Sequence, residues 1–245
     1  MIVLPDVLVD YADDLLEGFL ITIELVVIGV VVGAVVAGFI AAGRLSHRRW
    51  LRVTTWLYTN LLRGSPLLAQ LFLIYYGAGQ FADFWESVGL WWFLSEPFNC
   101  AALAFVLNTS AYQAEIFRGA VQAIPTGQWE GGDALGLDRR RVFTKVVAPQ
   151  AALYALRPFG NDIILTIKGS AVASVVTVYD LLGETRLAYS DTFDFSVYFY
   201  AAALYLILVE TLRRVWNLLE RRLTRHLDPE VRRRAAGGEP QAALT

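Results

Sequence analysis

Glu24, Asn108, Thr109, Ser110, Glu115, Asn161, Asp162 and Lys168 stand inside segments that are otherwise almost wholly apolar. An ionisable group in such a place costs free energy unless it is paired or faces a cavity. These residues therefore mark either a polar path or bonds between helices. Asn161-Asp162 is the sharpest pair. It follows Pro158 and Gly160, where a bent helix can turn carbonyls toward a cavity. A carboxylate there would suit an ammonium or guanidinium group; a helix–helix hydrogen bond is the competing reading. Glu24 lies near one end of its segment and can snorkel to the surface. Glu115 and Arg118 are three apart on one helix face and can pair with each other, which favours a structural or gating role.

A second feature is the stretch TGQWEGGDALGLDRRRVFTKVVAP, Thr126–Pro149, which is polar, glycine-rich and charged. Pro125 stops what precedes it, and Thr126 is placed to cap a short helix with its hydroxyl. Gly136 can take the left-handed conformation that ends a helix, and Asp138 can cap the next one. The pattern predicts a short helix, a sharp turn and a second helix. Trp129, Ala134, Leu135 and Leu137 offer it an apolar surface. A helix lying on a membrane would show a continuous apolar face. Gly131, Gly132, Asp133 and Gly136 interrupt that face and favour docking into a protein cleft.

The elements that must position these groups follow from composition. The chain has 245 residues, 56% hydrophobic and 18% charged; soluble domains carry about 25% charge. The apolar excess is segmented, which predicts a polytopic all-α membrane protein of one domain, residues 1–225, with a polar, disordered tail over 226–245. Spans are expected near Phe19–Ala42, Trp56–Gly77, Phe98–Phe117, Val146–Val178 and Phe195–Val215. The second should break at Gly64-Ser65-Pro66, since proline lacks a backbone donor and restricts the residue before it. The fourth should bend at its prolines and end in a short re-entrant piece. Arg44, Arg48, Arg49 and Arg52, then Arg118 and Arg139 to Lys145, then Arg213 to Arg225 define one side. The loops Ala78–Pro97 and Tyr179–Asp194 are acidic and define the other. Positive loops face the cytoplasm, so the N-terminus is expected outside and the C-terminus inside. The acidic N-terminus lacks the basic start of a cleavable signal. One cysteine excludes an internal disulfide, and His47 and His226, far apart in sequence, suggest no metal site.

The polar stretch resembles the cytoplasmic signature of permease subunits of ATP-binding cassette importers. That signature has an acid-alanine-alanine triplet, a later glycine and an aliphatic-leucine-proline ending. Here these are Glu130-Gly131-Gly132, Gly136 and Val146-Val147-Ala148-Pro149. The two glycines in place of alanines are expected to make the helix more flexible. LLRGSPLLAQLFLIYYG, NTSAYQAEIFRGAVQAIPTGQWEGGDALGL and APQAALYALRPFGNDIILTIKGSAVASV are similar to the polar amino-acid permeases, especially those for histidine, basic amino acids and opines. The resemblance runs from about Gly18 to Arg222.

The resemblance implies a type I importer permease fold with about five transmembrane helices in a bacterial inner membrane. It implies a coupling helix at about 126–137, in which Glu130, Gly131, Gly132, Asp133, Ala134, Leu135, Gly136 and Leu137 meet an ATPase subunit. It makes Glu24, Asn108, Thr109, Ser110, Asn161 and Asp162 candidates for the substrate pathway, and Glu115, Arg118 and Pro149 structural or gating residues. Two ATPase subunits, a second permease (a related chain or another copy) and an external solute-binding protein would be partners, with membrane lipid around them. ATP and magnesium would sit on the ATPase, because this chain has no GxxxxGK[ST] loop. It would be a transport subunit and not an enzyme, with no catalytic or metal-binding residues and no nucleic-acid partner. A self-contained secondary transporter or channel is the alternative, though no internal repeat supports it. A scaffold would leave the buried polar set unexplained.

Overall fold

The computed structural model describes residues 10–225, and these are helical with no strand among them. The expected tail over 226–245, with His226, lies outside the described residues. The first span is α1, Ala12–Arg44, whose 33 residues reach about 50 Å at 1.5 Å per residue. That exceeds the roughly 30 Å of a bilayer core. Asp13 and Asp14 lie in its first turn and Arg44 in its last, each at the favourable end of the helix dipole.

The second pass is two helices, α2 (Arg49–Gly64) and α3 (Leu67–Gln80), broken at Ser65-Pro66. Two short helices follow, α4 (Ala82–Ser87) and α5 (Trp91–Leu94), in the stretch expected to be a loop. The third pass, α6 (Pro97–Gln122), opens with proline in its first turn, where the missing donor costs nothing. It lies closely along α1. An added Cβ at Gly29 would stand 3.1 Å from the Phe105 Cβ, and one at Gly33 3.4 Å from the Ser110 nitrogen. Small residues thus let the two backbones approach as they do between membrane helices.

The polar stretch folds nearly as expected. Helix α7 spans Thr126–Ala134. The Leu137 N–H reaches the Gly132 carbonyl at 3.1 Å and the Gly136 N–H reaches Asp133 at 3.0 Å, the paired bonds of a Schellman turn. Gly136 sits at φ +68°, where a side chain would be strained. Asp138 caps α8, Arg139–Val142, by accepting the Arg141 N–H. Thr126 departs from expectation. Pro125 holds the capping position with an extended ψ of 140° and Thr126 makes no capping bond. It is the extended ψ of Pro125 that sets it outside the helix, so Thr126 is already the first helical residue.

A π-helical turn, Phe143–Val147, joins α8 to α9, Ala148–Gly169, and Pro149 falls in the first turn of α9. The wider turn absorbs the backbone donor that Pro149 lacks. Pro158 lies within α9, and a 3₁₀ segment, Ser170–Val176, ends the pass. The segment Tyr179–Asp194 is not a loop but a helix, α10 (Leu181–Thr192). Burial and capping stabilise it. Leu181 and Ala188 are buried, Asp180 accepts from Gly183, and the free Leu181 N–H finds the Thr22 hydroxyl of α1 at 3.0 Å. The last pass is α11, Ser196–Leu223. Among the described residues, α1, the run Arg139–Val176 and α11 are long and apolar enough to cross a membrane by composition alone. The two halves of the broken second pass, 16 and 14 residues, are each short of a full crossing, and α6 carries more polar residues along its length.

The two glycines of the triplet are not equivalent. A Cβ on Gly131 meets nothing, whereas one on Gly132 would fall 2.4 Å from a methyl of buried Val142. Only Gly131 adds freedom; Gly132 is seated against α8. Gly131→Ala should therefore raise thermal stability by up to about 1 kcal/mol through helix propensity. Gly132→Ala should lower it by about 1–3 kcal/mol through overpacking, and Val142→Ala should relieve that loss in the double variant. Unfolding of the solubilised chain, followed by circular dichroism, measures all three.

Asp180 lies outside the membrane-crossing segments, and burial pushes its carboxyl from 3.8 up to about 6, against bonds from Gly183 and Tyr205. The folded chain thus holds a proton that the unfolded chain releases, and stability from this group falls as pH rises from about 4 to about 6, by at most about 3 kcal/mol. Asp180→Asn keeps a capping side chain and should flatten that slope in melting points taken at pH 4.5 and pH 7.

Candidate functional site: a polar cavity and an exposed short helix

The break in the second pass sets the geometry of the site. Pro66 has no N–H for the Leu62 carbonyl one turn earlier. The Gln70 side-chain amide fills the place, donating to Leu62 at 2.7 Å and to the Ser65 carbonyl at 3.1 Å. Asn108 of α6 donates to the Leu62 carbonyl at 3.3 Å and to the Gln70 oxygen at 3.2 Å. The break is thereby sewn to α6, as burial without water demands. Gln70 and Leu62 were not singled out in the sequence. The signal for them was the proline itself, whose orphaned carbonyl requires a donor.

Beside this seam is a cavity of about 190 Å³ lined by Leu67, Phe105, Asn108, Thr109, Tyr112, Asp162, Leu165, Thr166 and Gly169. It lies between α3, α6 and α9. Asp162 is 8% exposed, and its Oδ2 has no hydrogen-bond partner among the described residues. The Gln113 amide is its polar neighbour; that side chain is fully buried and makes no hydrogen bond. Tyr112 is held by its hydroxyl to the Arg63 carbonyl, and the Arg63 guanidinium lies over its ring at 5.2 Å. The bend that aims Asp162 inward is braced from behind. Gly160 lets Trp216 of α11 come so near that any Cβ would strike the indole, whose N–H donates to the Leu156 carbonyl at 2.9 Å.

The structure brings Asn108, Thr109 and Asp162 to one wall and places the other pathway candidates elsewhere. Ser110 is buried and bonded to the Tyr58 hydroxyl at 2.7 Å and to the Leu107 carbonyl, which ties α2 to α6. Glu24, Asn161 and Lys168 are exposed and do not line the cavity. A larger hollow of about 400 Å³, lined by Phe117, Ala151, Phe159 and Trp216 among others, is wholly apolar in its lining and gives an amino acid nothing to bind.

The other half of the site is α7. Trp129 and Leu137 turn inward against Val142, Val147 and Ile124, while Ala134 and Leu135 face outward. Leu135 is 79% exposed. Glu130 and Asp133 are exposed beside it. Glu115, one element upstream, accepts from Arg118 as expected and also from Arg44 of α1.

Comparison with known proteins matches this architecture. The family model for the inner membrane component of binding-protein-dependent transport systems covers residues 34–225. The chain is 42% identical over 176 residues to the arginine ABC transporter permease protein ArtM of Haemophilus influenzae, covering 71% of this chain and 77% of that one. It is 38% identical over 203 residues to the nopaline transport system permease protein NocM of Agrobacterium fabrum, with 82% and 83% covered. A crystal structure of an amino acid ABC transporter with histidines superposes at a TM-score of 0.80 with 32% identity, covering 88% of this chain and 96% of that one. The methionine ABC transporter MetNI, at 22% identity and a TM-score of 0.66, shares the fold. With its broken second pass, glycine-ended short helix and proline-containing fourth pass, the chain belongs to the family of inner-membrane permease components of binding-protein-dependent transport systems.

Proposed function

We propose that this permease moves a cationic amino acid, of the arginine type or an opine built on it, inward through the cavity between α3, α6 and α9. The observation that carries the reading is the buried Asp162 carboxylate, which lines a cavity of about 190 Å³ and whose Oδ2 has no hydrogen-bond partner among the described residues. A guanidinium or ammonium group is the ligand that such a desolvated acceptor favours. The arginine, nopaline and octopine permeases among its relatives support the same class. Tyr112 beside Asp162 adds an aromatic face for a flat cation.

Energy would come from two ATPase subunits, which hold ATP and magnesium and seat α7 in a groove through Leu135, Ala134 and the flanking Glu130 and Asp133. Their closure would bias the permease between outward and inward access, as a ligand biases a two-state element. An external solute-binding protein would deliver the substrate to the acidic face, and a second permease would complete the pore. The N-terminus would lie outside and the C-terminus inside.

Uptake of labelled arginine and glutamine into vesicles carrying the whole complex tests the reading. Asp162→Asn should cut arginine uptake at least tenfold while binding-protein-stimulated ATP hydrolysis remains. Unchanged arginine uptake would remove the carboxylate from the path. Leu135→Asp, at an exposed position that the fold does not need, should weaken co-purification of the ATPase at least tenfold and leave the melting point of the isolated chain unchanged. Undiminished co-purification would place the ATPase contact elsewhere.

A further inference from the structure

The cytoplasmic ends of α1 and α6 share one carboxylate. Glu115 Oε1 accepts from Arg44 Nε at 2.8 Å, and its Oε2 accepts from Arg118 Nε and Nη2, each at 2.8 Å. The three side chains are 14%, 13% and 27% exposed, in the order Arg44, Glu115, Arg118. Arg118 also donates to Gln122, the last residue of α6. Ala123, Ile124 and Pro125 alone separate that residue from α7. Two arginines from two helices therefore converge on a single half-buried carboxylate at the exit of the helix that leads into the cytoplasmic element.

We infer that Arg44–Glu115 is a mechanical latch that carries motion of the coupling helix into the first span; the inference rests on the permease reading above. The argument is one of rigidity. Arg118–Glu115 lies within one helix, three residues apart, and holds nothing together that the helix does not already hold. Arg44–Glu115 crosses between helices separated by 71 positions in the chain. Opening it would strip Oε1 of a partly desolvated carboxylate of its donor and leave the Arg44 guanidinium, 14% exposed, without its acceptor, which resists separation more than an exposed pair does. Higher up, Gly29 and Gly33 already bring α1 against Phe105 and Ser110 of α6. A latch at the end of that seam makes α1 and α6 one body. A pull on α7, transmitted through Pro125 and α6, then moves α1 instead of sliding past it. Arg44 is accordingly a positioning residue: it touches neither the cavity nor the exposed face of α7.

The test compares Arg44→Gln with Arg118→Gln in the full complex, reading ATP hydrolysed per arginine imported. Arg44→Gln should raise that ratio about tenfold while hydrolysis itself persists; Arg118→Gln should leave it within twofold of the parent. A ratio unmoved by Arg44→Gln, or moved equally by both variants, overturns the latch, because a general loss of fold lowers uptake and hydrolysis together. A distance measurement covers the case in which Arg44→Gln fails to assemble. Spin labels at Ala42→Cys and Gly119→Cys, both exposed positions, on a Cys100→Ser background should keep one separation in the nucleotide-free and ATP-trapped complexes. A shift of several ångströms between those states overturns the latch. Uptake by the parent complex tests the permease reading separately, and the label distance reports on the latch whichever way that uptake falls.

Discussion

A carbonyl that loses its helical donor at a protein surface finds a water molecule, but inside a bilayer the replacement must come from the protein itself. That requirement organises this molecule around its prolines. At Pro66 the replacement is the Gln70 amide, supported by Asn108 from the neighbouring helix. At Pro149 it is a change of helical pitch, a π turn over Phe143–Val147. Next to Pro158 the helix is braced from outside: the indole of Trp216 donates to the Leu156 carbonyl, two positions earlier, and Gly160 makes room for it. Each repair draws in a side chain or a stretch of backbone that would otherwise be free, and each fixes the angle between two pieces of helix.

The cavity is a by-product of those fixed angles. Its walls come from the piece after the first break and from the bent fourth pass, with α6 between them. Asp162 faces the cavity because the turn beyond Pro158 is held at its back by α11. Nothing in this geometry depends on α7, which is built from a separate local code of proline entry, left-handed glycine and aspartate cap. The two devices meet through α6, which contributes Asn108 and Thr109 to the cavity and runs on through Glu115 to within three residues of α7.

Features written in local chemistry were legible in the sequence. The break at Ser65-Pro66, the turn at Gly136 and the cap at Asp138 depend on residues within a few positions of one another, and the chain obeys them. Thr126 shows the limit even there, since a neighbouring proline took the position its hydroxyl could have filled. The distant partners were not legible. Arg44 read as one of a group of positive charges that fixes orientation, and its bond to Glu115 appears only when α1 and α6 lie side by side. Helix α10 was hidden for the same reason: its first N–H is satisfied by Thr22, 159 positions away. Of the pathway candidates, those on the inner faces of α6 and α9 reached the cavity. Glu24 and Asn161 did not, because one helical position turns a side chain by about 100°.

The repair at Pro66 also bears on how the transporter could make errors. Asn108, Tyr112 and Thr166 line the cavity, yet their donors are already committed to Leu62 and Gln70, to Arg63 and to the Asp162 backbone, respectively. What the wall leaves open is the Asp162 carboxylate and the Thr109 hydroxyl. Under the function proposed above, such a chamber would test chiefly the charge of its guest. If a carrier outside the membrane has already chosen by shape, the chamber inside examines a different property. Two filters that ask different questions multiply their discrimination, so neither needs to bind tightly, and loose binding at each is what lets a solute leave as readily as it entered.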